Sequence, residues 1–226
     1  MKKTFIIANW KSNITLPEAK SWLDNFDVQG LDVADKEIVV CPSFTLLSEL
    51  KSYALKNNSL VKIGAQDISP FSEGSYTGEV CGKQLKDFSE YVIIGHSERR
   101  RNFSESNETV NQKIRKAFEA DLRPIICVSD LEQAKAFREA VKTDNDFIVA
   151  YEPLFAIGTG SADTPENADL MVKNIKNILG DKVILYGGSV TSSNINQFSK
   201  MPNIDGALVG KASLNSVEFL QIIKNA

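Results

Sequence analysis

Two textures alternate along this chain. Short apolar runs rich in Ile and Val occupy residues 4–9, 37–41, 61–65, 91–95, 124–128, 147–151, 182–186 and 205–209. Near-continuous apolar character over so short a length marks strands buried on both faces, as in parallel sheets. Between the runs, apolar residues recur at helical spacing over 17–26, 44–56, 104–120, 131–142, 165–179, 192–200 and 216–225. Pro17 and Pro165 suit first helical turns, behind Thr15 and Thr164 as caps. The third connection differs. Residues 66–79 lack helical periodicity, and only a weak helical pattern follows over 82–88.

Strands separated by helices predict a parallel α/β protein. Their number and spacing favour a closed (β/α)8 barrel, a parallel eight-stranded sheet ringed by helices. An open doubly wound sheet is the competing arrangement. It usually carries a glycine-rich phosphate loop after its first strand, but here Asn9-Trp10-Lys11 follows that strand. No shift in composition and no Gly/Ser linker divides the chain, so residues 1–226 are expected to form a single domain.

Composition narrows the partners. A hydrophobic content of 42% and a charged content of 24% suit a soluble globular protein. A formal net charge of −3 offers no general attraction to nucleic acid or to an anionic membrane. Arg99-Arg100-Arg101 is too short a basic run to change that, and reads as a solvated helix start. The opening Met1-Lys2-Lys3 followed by an apolar run looks like a leader, but the run stops at Asn9, short of a signal-peptide core. The cysteines, Cys41, Cys81 and Cys127, are odd in number and lack CxxC spacing. They predict a reducing, cytoplasmic location and a packing role.

Chemistry is expected where the strands end, because a barrel gathers those positions at one mouth. The only histidine, His96, follows the run at 91–95. A zinc site built on two or three histidines is therefore impossible, and any imidazole chemistry falls to His96. Asn9 and Lys11, two residues apart, would face one side of an extended segment, as substrate ligands or as a capping Asn beside a surface Lys. Glu152 ends the sixth run and is a candidate general base. After it, Pro153-Leu154-Phe155-Ala156-Ile157-Gly158-Thr159-Gly160 has the make-up of a lid. Glycine turns at Gly187-Gly188-Ser189 and at Gly210-Lys211 follow the last two strands, where many barrels bind phosphate. Ser189 offers a hydroxyl there, or a plain helix cap.

These motifs, Asn9-Trp10-Lys11, Gly95-His96-Ser97-Glu98-Arg99-Arg100, Tyr151-Glu152-Pro153 with its lid, Tyr186-Gly187-Gly188-Ser189-Val190 and Leu208-Val209-Gly210, together resemble the triosephosphate isomerase family in order and across nearly the whole chain. The resemblance implies a TIM barrel that interconverts dihydroxyacetone phosphate and D-glyceraldehyde 3-phosphate without metal or organic cofactor. It implies that Glu152 is the base, that a neutral His96 is the electrophile, and that Lys11 and Asn9 bind and stabilise. Glu98 supports them. Backbone groups at Gly158, Ser189, Gly210 and Lys211 would hold the phosphate. A helix starting at Ser97 would disfavour the imidazolium; this family is the standard illustration of that tuning. The resemblance also implies a homodimer in which Thr77 reaches the partner. Three departures stand out: Phe155 where Trp is common, Ser129-Asp130 where Gly-Glu is usual, and Lys211 where Gly is usual. The first two are expected to alter lid opening together. At Lys211 the backbone N–H survives and the side chain is expected to point away. The segment 130–146 is also shorter than usual.

Overall fold

In the computed structural model, residues 3–28, 31–56, 60–141, 145–156 and 162–226 are described. The strands are β1 (Thr4–Asn9), β2 (Lys36–Cys41), β3 (Val61–Ala65), β4 (Tyr91–Ile94), β5 (Arg123–Val128), β6 (Ile148–Tyr151), β7 (Val183–Tyr186) and β8 (Gly206–Val209). They pair in parallel in chain order, and β8 returns to pair with β1, so the sheet closes. The helices are α1 (Leu16–Asp24), α2 (Leu47–Lys56), α3 (Gly82–Lys86), α4 (Ser97–Phe103), α5 (Asn107–Glu119), α6 (Leu131–Phe137), α7 (Pro165–Leu179), α8 (Ile195–Ser199) and α9 (Ser216–Asn225). No helix among the described residues is long and apolar enough to cross a membrane.

Closure divides the strand residues by parity. Phe5 and Ile7, Val39 and Cys41, Tyr91 and Ile93, Ile148 and Ala150 belong to one buried cluster that draws only on strands, the barrel interior. Ile6 and Ala8, Ile38 and Val40, Val92 and Ile94 belong to a second cluster shared with the helices. These strands are therefore apolar on both faces, which is why they read as continuous runs; β3, with Lys62 and Gly64 on its inner phase, adds nothing to the interior cluster.

Local chemistry sets the helix ends. The Thr15 N–H donates to Glu18 at 2.7 Å, and the Thr164 hydroxyl accepts from the Asn167 N–H. The helix expected over 104–120 forms as α5 and starts three residues later, at Asn107. Ser104 adopts a left-handed φ of 56°, and the Ser106 hydroxyl caps α5. The helix expected over 131–142 stops at Phe137 and tightens into a 3-10 turn, Arg138–Ala140. The helix expected over 192–200 shrinks to α8.

The seam between β1 and β8 is stitched by Asp205, just before β8. Its carbonyl accepts from the Phe5 N–H at 2.9 Å, and its carboxylate accepts from the Ile184 N–H at 2.8 Å. Gly206 has a φ of +142°, and a Cβ there would lie 1.9 Å from the Phe5 carbonyl oxygen. Gly206→Ala is therefore expected to destabilise the fold by at least about 2 kcal/mol through backbone strain and collision. A urea midpoint equal to that of the parent would refute the close approach at the seam.

Candidate functional site

The inward phase of the strands continues past their ends. Phe5 and Ile7 lead to Asn9, and Ile148 and Ala150 lead to Glu152, so both polar residues enter the barrel mouth buried, at 5% and 1% exposure. His96 is one residue out of phase with Tyr91 and Ile93. Gly95, with φ +71°, turns the chain so that the imidazole still reaches the mouth. A side chain at Gly95 would also crowd Val110 and Arg100. These residues share a cavity of about 520 Å³ with Lys11, Gly187, Gly188, Ser189, Gly210 and Lys211.

Glu152 is held by two donors. Its Oε2 accepts from the Ser97 N–H at 2.8 Å, and its Oε1 lies 2.9 Å from His96 Nε2. On the other edge of the ring, Nδ1 accepts from the Glu98 N–H at 3.2 Å, with His96 as the N-cap of α4. An acceptor at Nδ1 and a donor at Nε2 define a neutral imidazole with its proton on Nε2. Burial pushes the Glu152 carboxyl up. The His96 ring and the Ser97 N–H outweigh it, so the group sits below the usual carboxylate range and is ionised near neutrality.

Lys11 departs from the sequence reading. It shares the cavity with Asn9, but not through an extended segment, because its φ is +52°. Two contacts hold that left-handed turn. The Lys11 N–H donates to Asn9 Oδ1 at 3.1 Å. The Gln66 side-chain amide donates to the carbonyls of Lys11 and Cys41, both at 2.9 Å. The Lys11 ammonium lies 2.6 Å from Glu98 Oε1. Gln66 and Ser97 thus serve the site, although the sequence reading assigned neither a role there. Their positions beside strand three and beside His96 were the available signals.

Among the described residues, none accepts a hydrogen bond from the backbone N–H of Ser189, Gly210 or Lys211. These donors remain open to an anion. The Ser189 hydroxyl is engaged instead, donating to the Ala156 carbonyl at 2.7 Å. The Tyr186 hydroxyl accepts from the Asp163 N–H at 2.8 Å. Ala156 is thus tied to the loop after β7, and Asp163 to the last residue of β7. Gly158 lies outside the described residues. Phe155 is 64% exposed, and Asp130 caps α6 by accepting from the Gln133 N–H. The three cysteines are free and buried.

Thr77 stands apart from the cavity, on the exposed loop after β3. In that loop Phe71 and Tyr76 stack at 4.2 Å while both stay partly exposed. Leu16, Phe44 and Phe103, also partly exposed, follow β1, β2 and β4. Exposed apolar side chains therefore follow four neighbouring strands.

The family pattern described as triosephosphate isomerase matches residues 4–226. A triosephosphate isomerase of Hahella chejuensis is 40% identical over 249 aligned residues, covering 100% of this chain and 99% of that one. One of Dehalococcoides mccartyi is 39% identical over 248, covering 100% and 97%. One of Mycoplasmopsis pulmonis is 40% identical over 243, covering 99% and 98%.

With only one histidine, 15N labelling reports both ring nitrogens without assignment. Nε2 should appear protonated and Nδ1 unprotonated at neutral pH. The reverse pattern, or an imidazolium, would overturn the hydrogen-bond arrangement described above.

Proposed function

The chain belongs to the triosephosphate isomerase family, and on that premise we propose that it interconverts dihydroxyacetone phosphate and D-glyceraldehyde 3-phosphate, in glycolysis and gluconeogenesis. The observation that carries this reading is the pairing of a buried carboxylate with a neutral imidazole N–H, 2.9 Å apart, in a cavity that also holds Lys11 and open backbone donors.

A carbon-bound proton beside a carbonyl is a weak acid. Its removal needs a base on carbon and a partner for the negative charge that builds on oxygen. Glu152 takes the pro-R proton from carbon 1, and the electron pair moves to the carbonyl oxygen at carbon 2. The His96 Nε2–H, which in the free site faces Glu152, turns its donation to that oxygen. The Lys11 ammonium adds positive charge, and Asn9 orients the substrate. A proton passes from the carbon-1 hydroxyl to the oxygen on carbon 2 by way of His96 Nε2, and Glu152 returns a proton to carbon 2 as the carbonyl forms at carbon 1. No electrons enter or leave the substrate, so no redox cofactor takes part.

Glu98 is a positioning residue here, since its N–H fixes the His96 tautomer and its carboxylate holds Lys11. Gly158, Ser189, Gly210 and Lys211 bind the phosphate through their backbone N–H groups. Closure from Pro153 onward keeps water from the enediolate, which would otherwise eliminate its phosphate.

The protein is read as a cytoplasmic homodimer. The apolar side chains after β1 to β4 form the contact face, and Thr77 reaches the partner's site. Sedimentation at micromolar concentration should give twice the mass of one chain, and Thr77→Arg should shift it towards the monomer. A monomeric parent protein would defeat this part of the proposal.

Glu152→Gln should lower kcat by about 10² to 10⁴ while the fold survives. A coupled isomerase assay with circular dichroism as the control checks both. A folded parent protein that binds phosphoglycolate yet turns nothing over would instead point to a binding protein on an inactive barrel.

A further inference from the structure

We propose that the side-chain ammonium of Lys211 is itself an anion-recognising group of this site, drawing a phosphate monoester dianion into the mouth. This rests on the phosphate-ester reading above and adds a charge to the backbone donation already assigned to Lys211.

The charged side chains lining the cavity are Lys11, Lys211, Glu152 and Glu218. The positive charge of Lys11 is largely answered by Glu98, 2.6 Å away. Glu152 is ionised. The Glu218 oxygens accept from the Ser192 N–H at 2.8 Å and the Ser192 hydroxyl at 3.0 Å, which orients that carboxylate without a counter-cation. Without Lys211, an arriving dianion would meet more negative than positive charge.

Lys211 is the cation in this lining that no described residue engages. It is exposed and makes no ion pair or hydrogen bond through its ammonium among the described residues. Its backbone starts on the wall that faces Lys11, since a Cβ at the preceding Gly210 would lie 3.7 Å from Lys11 Nζ. Lys211 lines the same cavity as Ser189 and Gly210, and its four-carbon stem is flexible. A cation at the rim of a binding site acts chiefly on association and on salt dependence, which separates this role from backbone donation.

The test compares Lys211→Met, which keeps the stem and drops the charge, with Lys211→Arg, across ionic strength. At low salt Lys211→Met should lower kcat/KM about five-fold and weaken competitive inhibition by phosphoglycolate by a similar factor, while Lys211→Arg stays near the parent. The gap should close towards about 1 M salt, where the screening length falls to about 3 Å. A Met variant equal to the parent at low salt, or a loss that salt does not change, overturns the proposal. If the parent protein shows no turnover, the isomerase reading fails. Phosphoglycolate titrations followed on the single His96 signal then decide the role of Lys211 alone: weaker, salt-sensitive binding in Lys211→Met supports it, and unchanged binding sinks it.

Discussion

Closure of the sheet between β1 and β8 is the constraint on which the rest of this molecule depends. It forces alternate strand residues into an interior that must be filled and an exterior that must be covered. The same parity brings Asn9, the last residue of β1, and Glu152, one step beyond β6, into the mouth. The seam tolerates no side chain at residue 206 and is stitched by Asp205, so closure rests on a few contacts far from the cavity.

At the mouth, each polar group is held by a neighbour whose own position comes from the barrel. Ser97 and His96 engage the Glu152 carboxylate, and Glu98 fixes the imidazole and tethers Lys11. The left-handed backbone at Lys11 costs about 1 kcal/mol or more. The two hydrogen bonds from Gln66, at about 1 kcal/mol each, offset it. A buried cluster below pins this arrangement. Lys113 meets Asp67 and Glu105, and Arg99 meets both, which locks α4 and α5 to the loop after β3.

Glu152 sits between opposing influences. Burial raises its proton affinity, and its two donors lower it further than burial raises it. Without those donors only the upward push of burial would remain.

Much of this was legible in the chain. Apolar runs buried on both faces read as strands, and their alternation with helical spacing specified the barrel. The polar residue ending each run marked Asn9, His96 and Glu152, because a parallel barrel must present strand ends at one face. Helix ends were less legible: α5 starts three residues late and α6 stops at Phe137, because caps and tightened turns leave no mark in hydrophobic spacing. Tertiary structure alone decided which groups meet. The left-handed turn at Lys11, the grip of Gln66, the Ser97 N–H on Glu152 and the engagement of the Ser189 hydroxyl by Ala156 join residues far apart in the chain or turn on one backbone angle. Spacing along a sequence records which face a residue takes, because that repeats with the backbone. It does not record a hydrogen bond across the barrel, because that depends on where two separate strands end in space.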